Sequence, residues 1–466
     1  MITETRESLL RDLAKMKNLI QGMCLHYEVV SYAMEDDISF GSIVIQFYIR
    51  CGSLDDAKSC FSRTDEKHIN AWNCMIGAFS QRGESEEMRM LFWRMQRESV
   101  LADKITWLAM LSASREEIDN IVYVKKMHVH MGQDLSVNDV VMGTSLLHMY
   151  AKSGCMLYAW KVFSHMAVRN VITWSTMIAQ CAKHGQREEA LVLFSSMLEE
   201  GILPNSFTFM SILSACTCLR FAKNGRYVHA RITGSEVETH PYMWNALTNM
   251  YGRWGVLDEA DAAFDVNSKQ SVSAWNIILA AHVHHGKLDD ASQIFEKMLD
   301  EDIVPDTATF TSILSVYANQ IKLTKGMDIH SIIVSVGFES DLTVANSLIN
   351  MYGKCKCFST ALKLLREMSE TDVVAWNTLI SSYCDDKCSN EARLVFQQMV
   401  QEGRAPNEIT YSCILDTFSE GRQVLTEGKR IHSRVFFQSN VVITTSLVNM
   451  YGNCGSLQDA LEAFHE

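Results

Sequence analysis

Four tryptophans in this sequence are each followed by a small polar residue: Trp72-Asn73, Trp174-Ser175, Trp275-Asn276 and Trp376-Asn377. Asparagine carries a donor and an acceptor on one planar group, and a serine hydroxyl is both, so the chemistry on offer there is hydrogen bonding. Five histidines also recur, His26, His128, His229, His330 and His432. Imidazole can ligate zinc, but zinc gathers three or four ligands within about 2.3 Å of one point. Histidines spaced about a hundred residues apart in a regular chain cannot converge in that way, so packing is the expected role. His26-Tyr27-Glu28 matches one half of a nucleotide-deaminase signature, yet its other half, Pro-Cys-x-x-Cys, occurs nowhere. The 14 cysteines include no Cys-x-x-Cys pair. They read as free thiols of a reducing compartment. No phosphate-cradling glycine loop or nucleophile elbow occurs either. The expectation is a chain with no catalytic residue, metal or cofactor.

The tryptophans are spaced 101 or 102 residues apart, which makes repetition the first thing to resolve. Each opens a 35-residue unit: 69–103, 171–205, 272–306 and 373–407. Within it stand Gly at position 15 (Gly83, Gly185, Gly286), Ala at 20 (Ala190, Ala291, Ala392), Phe at 24 (Phe92, Phe194, Phe295, Phe396) and Met at 27 (Met95, Met197, Met298, Met399). A 31-residue unit with similar landmarks precedes each: 38–68, 140–170, 241–271 and 342–372, with a truncated copy at 441–466. A looser unit marked by the histidine follows: 104–139, 206–240, 307–341 and 408–440, with an earlier copy at 3–37.

One unit reads as a helical hairpin. Trp376, Leu379, Ile380 and Tyr383 follow the i, i+3, i+4, i+7 spacing of one helix face. Glycine at 15 suits the left-handed end of a first helix. Alanine at 20 and phenylalanine at 24 share a face of the second, one turn apart. Three of the 4 prolines (Pro204, Pro305, Pro406) close units. A lone hairpin cannot bury its apolar face, so its neighbours must stack on it. The expected architecture is all-α, an α-solenoid superhelix of stacked helix-turn-helix repeats running from 3 to 466 as about 14 units, with no separate catalytic domain.

Composition is consistent with this. Of 466 residues 47% are hydrophobic and 21% charged, ample for a core. No run of 18 apolar residues exists, so no membrane span or membrane partner is expected. The N-terminus shows neither a signal nor a transit peptide. The net charge of -13 opposes a nucleic-acid partner as a sum, but an acidic chain can still carry a basic stripe.

These units resemble pentatricopeptide repeats. Alternation of 35- and 31-residue units with a His-bearing variant resembles the subclass built from P, L and S motifs. Met149-Tyr150-Ala151-Lys152-Ser153-Gly154 and Val373 to Ile380 are close to the family's patterns. Tetratricopeptide repeats, which bind proteins, are the nearest rival. They want Gly at position 8, where Ile76, Ile178, Leu279 and Ile380 stand.

The resemblance implies single-stranded RNA binding, one base per unit, read by position 5 and the last residue, with position 2 packing on the base. Carried over, Asn73 with Asp103, Asn276 with Asp306 and Asn346 with Asp372 resemble uridine readers. Thr144 with Asn170 and Ser175 with Asn205 resemble adenosine readers. Asn245 with Ser271 resembles a cytidine reader, and Asn377 with Asn407 a pyrimidine reader. Ser42 with His68 is unassigned. So are the His-bearing units, Leu108/Asp139, Met210/His240, Thr311/Asp341 and Ser412/Asn440. Position 13 resembles the family's phosphate contact in Arg50, Lys152, Lys183, Arg253 and Lys354, and departs from it in Gln81, His284, Asp385 and Asn453.

The resemblance further implies site recognition for cytidine-to-uridine editing of an organellar transcript, in mitochondrion or chloroplast, with an editing deaminase or other editing factors in trans. Alternatives are RNA stabilisation or processing without editing, and a helical protein-binding scaffold. The chain stops inside a 31-residue unit, as a fragment or a truncated gene product would. Related chains usually continue into C-terminal extension motifs.

Overall fold

The computed structural model describes residues 19–31, 38–63, 68–113, 121–131, 139–267, 271–368, 372–418, 422–435 and 441–465. Among the described residues there are 27 α-helices, two short 3-10 turns and no strand. No helix is long and apolar enough to cross a membrane. The fold is an all-α solenoid of helical hairpins, as the spacing predicts.

The chain divides into two compact units, Met1–Cys216 with Arg220–Glu238, and Thr217–Leu219 with Thr239–Glu466. Each is built in the same way. In the second, the hairpin of Val272–His284 and Leu288–Asp300 is followed by Thr307–Gln320 with Leu323–Val336, Leu342–Lys354 with Phe358–Glu367, and Val373–Asp385 with Ser389–Gln401. First helix packs on first helix along the array, and each second helix closes against its own partner. In the first, Ile69–Arg82 with Ser85–Arg97 and Val171–Lys183 with Arg187–Glu199 show the same hairpin.

The landmarks are the packing residues. Trp72, Trp174, Trp275 and Trp376 are 0–2% exposed. Phe61, Phe163 and Phe264 of the preceding hairpins meet the first three edge-on, with ring centroids 4.8–4.9 Å apart. Such pairs add about 0.5–1.5 kcal/mol beyond the area they bury. Ala190, Ala291 and Ala392 are fully buried, letting two helices approach, and Met197, Met298 and Met399 fill the floor. Gly286 has φ +70°, the left-handed turn between two helices. Lys356 and Lys387 occupy the same place in their units with φ +59°. A side chain there costs roughly 1–2 kcal/mol.

Four of the five recurring histidines strap neighbouring hairpins together. His26 Nδ1 lies 2.9 Å from the Tyr48 hydroxyl, His128 2.9 Å from Tyr150, His330 2.8 Å from Tyr352 and His432 2.8 Å from Tyr451. Each joins a His-bearing hairpin to the 31-residue hairpin after it. Burial holds the His128 and His330 imidazoles below their ordinary value, hence neutral. Burial is also the main cause that pushes the Tyr150 phenol up to about 12. Among the described residues no cluster of three His, Cys, Asp or Glu could hold a metal.

Candidate nucleic-acid interface

In most units the last residue is fixed first by the helix that follows it. A helix start leaves backbone N–H groups without partners, and Asp, Asn or Ser at the N-cap accepts from them. Asp306 Oδ1 accepts from the Thr309 N–H at 2.9 Å, Asp372 Oδ1 from Ala375 at 2.8 Å and Asn407 Oδ1 from Thr410 at 3.1 Å. Asn170, Asn205 and Ser271 cap Val171–Lys183, Ser206–Ala215 and Val272–His284 in the same way. Asp103 does so through Thr106 at 2.9 Å.

The polar residue at position 5 comes to the same point from the hairpin before. Asn73 Nδ2 donates to both oxygens of Asp103 at 3.0 Å, and Asn276 to both of Asp306 at 2.9 and 3.1 Å. Asn346 reaches Asp372 at 3.4 and 3.3 Å, and Asn377 reaches Asn407 at 2.9 Å. The hydroxyl residues at position 5 take a different route. Thr144 meets the Thr173 hydroxyl at 2.8 Å, and Thr173 in turn donates to Asn170 at 3.0 Å. Ser175 meets Thr208 at 2.5 Å, and Thr208 donates to Asn205 at 2.8 Å. Ser271 caps Val272–His284, the first helix of the hairpin after that of Asn245, and Asn245 is half-buried.

These networks set the charge. Burial alone would raise the Asp306 carboxyl. The Thr309 N–H and the Asn276 and Thr309 side chains outweigh it and hold the group below the usual carboxylate range. Asp103 is lowered in the same way, by Thr106 and Asn73 against burial.

The His-bearing units are wired differently. Lys104, their first residue, pairs with Asp139, and Thr307 donates to Asp341 at 3.3 Å. Position 5 varies: Thr311 turns back onto Ala308 O at 3.0 Å, and Ser412 meets the Ser446 hydroxyl of the next hairpin at 2.9 Å. Asn440 lies outside the described residues.

A row of exposed apolar side chains occupies position 2, where the family resemblance implies packing on the base. Ile105, Val141, Ile172, Phe207, Tyr242, Val374 and Ile409 are each the second residue of a first helix, and they are 49–64% exposed. In the sequence each is an apolar residue one step out of phase with the core stripe. Around Thr144 the pieces converge on one cavity of about 320 Å³, lined among others by Val141, Thr144, Lys152, Asn170 and Ile172. Two apolar side chains thus flank a hydroxyl and an amide, with an ammonium at the rim. A flat ring with polar edges fits that arrangement.

The basic residues sit in the last turns of first helices. Arg50, Lys183, Arg253 and Lys354 are exposed and Lys152 is half-buried. Lys354 donates to Asn319 at 3.1 Å. The exposed Asp385 interrupts this line.

The family models and the curated relatives point to one family. The PPR repeat family model matches residues 169–218, 270–319 and 371–420. The PPR repeat model matches 71–100, 144–171, 242–266, 343–373 and 442–466. The mitochondrial pentatricopeptide repeat-containing protein At2g03380 of Arabidopsis thaliana is 30% identical over 96% of this chain. The chloroplastic At4g18520 of the same plant is 28% identical over 97%. This chain spans 65% of the first relative's length and 74% of the second's. Among solved structures, PPR10 in complex with an 18-nt psaJ RNA element aligns over 99% of this chain and 73% of its own, with TM-score 0.61 at 17% identity. That likeness concerns the fold.

Proposed function

The chain belongs to the pentatricopeptide repeat family, and from that premise we propose that it binds single-stranded RNA by sequence, one nucleotide per hairpin. The observation that carries this reading is the recurring pair of position 5 and helix cap, flanked by exposed apolar second residues. A base stacked between two such side chains keeps its hydrogen-bonding edge toward the pair. An asparagine amide offers an acceptor to uridine N3–H and a donor to a uridine carbonyl. A threonine or serine hydroxyl is shorter and leaves room for a purine. The exposed Arg50, Lys183, Arg253 and Lys354 supply phosphate contacts along part of the chain, and Lys152 adds to them.

Read in order from 38 to 440, the pairs spell 5′-nUnAAnCUnUYn-3′. Asn73/Asp103, Asn276/Asp306 and Asn346/Asp372 take uridine. Thr144/Asn170 and Ser175/Asn205 take adenosine. Asn245/Ser271 takes cytidine and Asn377/Asn407 a pyrimidine. The role we assign is site recognition on a mitochondrial or chloroplast transcript for cytidine-to-uridine editing. The chemistry itself would come from a deaminase acting in trans. The mitochondrial and chloroplastic relatives support the compartment. The test is equilibrium binding to that RNA and to a scrambled RNA of equal composition, at a stated salt concentration. The expected result is preference for the first, and equal affinity would refute the reading.

A further inference from the structure

The reading pairs include a third side chain, and it belongs to the His-bearing unit that follows, to which no base is assigned. Thr106, Thr208, Thr309 and Thr410 are each the third residue of a His-bearing unit, and all are fully buried. Each hydroxyl reaches back to position 5 of the hairpin before it. Thr106 lies 2.6 Å from Asn73 Oδ1, Thr309 2.6 Å from Asn276 Oδ1 and Thr410 2.5 Å from Asn377 Oδ1. Thr208 lies 2.5 Å from the Ser175 hydroxyl.

The direction of these bonds matters. Thr309 Oγ1 accepts from the Asp306 N–H at 3.2 Å, so its one proton points to the oxygens, Asn276 Oδ1 the nearer at 2.6 Å and Asp306 Oδ1 at 2.9 Å. Asn276 Nδ2 meanwhile donates to the Asp306 carboxylate. The amide is therefore held by two bonds of opposite sense. Turning it over would face an NH2 group to a donor and an amide oxygen to a carboxylate. Uridine and cytidine differ by that same inversion, because uridine N3–H donates where cytidine N3 accepts. An amide that cannot turn over discriminates between them, and one that can turn over does not.

Other junctions provide the contrast. After the 31-residue units the third residue is Ala71, Ala274 or Ala375, and only Thr173 keeps the hydroxyl. Beside Ala375 the Asn346–Asp372 bonds lengthen to 3.4 and 3.3 Å, and the buried Asn346 Oδ1 has no hydrogen-bond partner among the described residues.

We propose that the third-residue threonine of each His-bearing unit is a positioning residue that fixes the hydrogen-bonding sense, and so the base preference, of the reader in the preceding unit. The His-bearing units thus serve recognition of the preceding nucleotide through this threonine. This inference rests on the base-reading function proposed above.

The test is Thr309→Val, which keeps the volume and removes the hydroxyl. Binding is measured to RNAs carrying uridine or cytidine at the nucleotide facing Asn276, and separately at the nucleotide facing Asn73. Losing one neutral hydrogen bond should cut the uridine-over-cytidine ratio at Asn276 by about three- to tenfold. The ratio at Asn73 should stay unchanged, which controls for folding, and Thr309→Ser should restore the lost preference. A uniform drop in affinity with both ratios intact would overturn the proposal and leave threonine a helix cap only. A wild-type chain without uridine preference at either nucleotide would instead refute the base-reading function, and the inference with it.

Discussion

Two proposed reading sites in one half of the chain use the same residue pair and differ in their surroundings. At the Asn276–Asp306 site, both carboxylate oxygens are within 3.1 Å of the amide, and Thr309 holds the amide oxygen. At Asn346–Asp372, the bonds are 3.4 and 3.3 Å and alanine stands where the threonine would be. The pair alone therefore does not define the site, because the hairpin that follows sets how firmly the amide is held. The comparison also gives the His-bearing units a two-sided role. Thr309 grips the hairpin before, and His330 straps the Tyr352 hydroxyl of the hairpin after.

The comparison breaks most visibly if the reader is removed. Asn276→Ala should lower uridine preference at its nucleotide by roughly tenfold, and Asn346→Ala by about threefold, in the same competition assay. Equal losses at both sites would erase the distinction. Next in size is the cap. Asp306→Ala should cost about 1 kcal/mol in local stability, seen as faster amide exchange in Thr307–Gln320.

A pH series then separates strap from cap. Burial lowers the His330 imidazole below its ordinary 6.5 in the folded chain. Its contribution is therefore full above about pH 6.5 and is lost as pH falls through the lower folded value. The thermal midpoint should drop on acidification from pH 7 to 5, and less steeply in a His330→Phe variant. A last test concerns the scaffold beneath the looser site. Lys387→Gly, relieving φ +59° at the turn of the next hairpin, should stabilise by about 1 kcal/mol in a denaturant titration.

Much of the fold was legible because packing leaves a periodic trace. Trp376, Ala392, Phe396 and Met399 are spaced by helix geometry, and all are buried. Lys356 and Lys387 hide the turn that Gly286 announces, and there only register reveals it. The site was legible in part. Asn276 and Asp306 are 30 residues apart, and only the hairpin repeat brings them together. Thr309 escaped notice because a buried helical threonine looks like an ordinary core or cap residue. Its hydroxyl acts across a hairpin boundary, and sequence spacing does not show which neighbour it faces. The exposed Val141, Ile172 and Tyr242 stand at position 2, whose role only the family resemblance supplies: from the residues alone, an apolar residue at a helix start reads as core until the packing is seen.

The most direct measurement is a competition between 5′-nUnAAnCUnUYn-3′ and its scrambled counterpart for the full chain at fixed salt. A preference of at least about a hundredfold is predicted, since seven assigned readers each add discrimination on the scale of a hydrogen bond. Equal binding of the two RNAs, or no binding of either, would contradict the account.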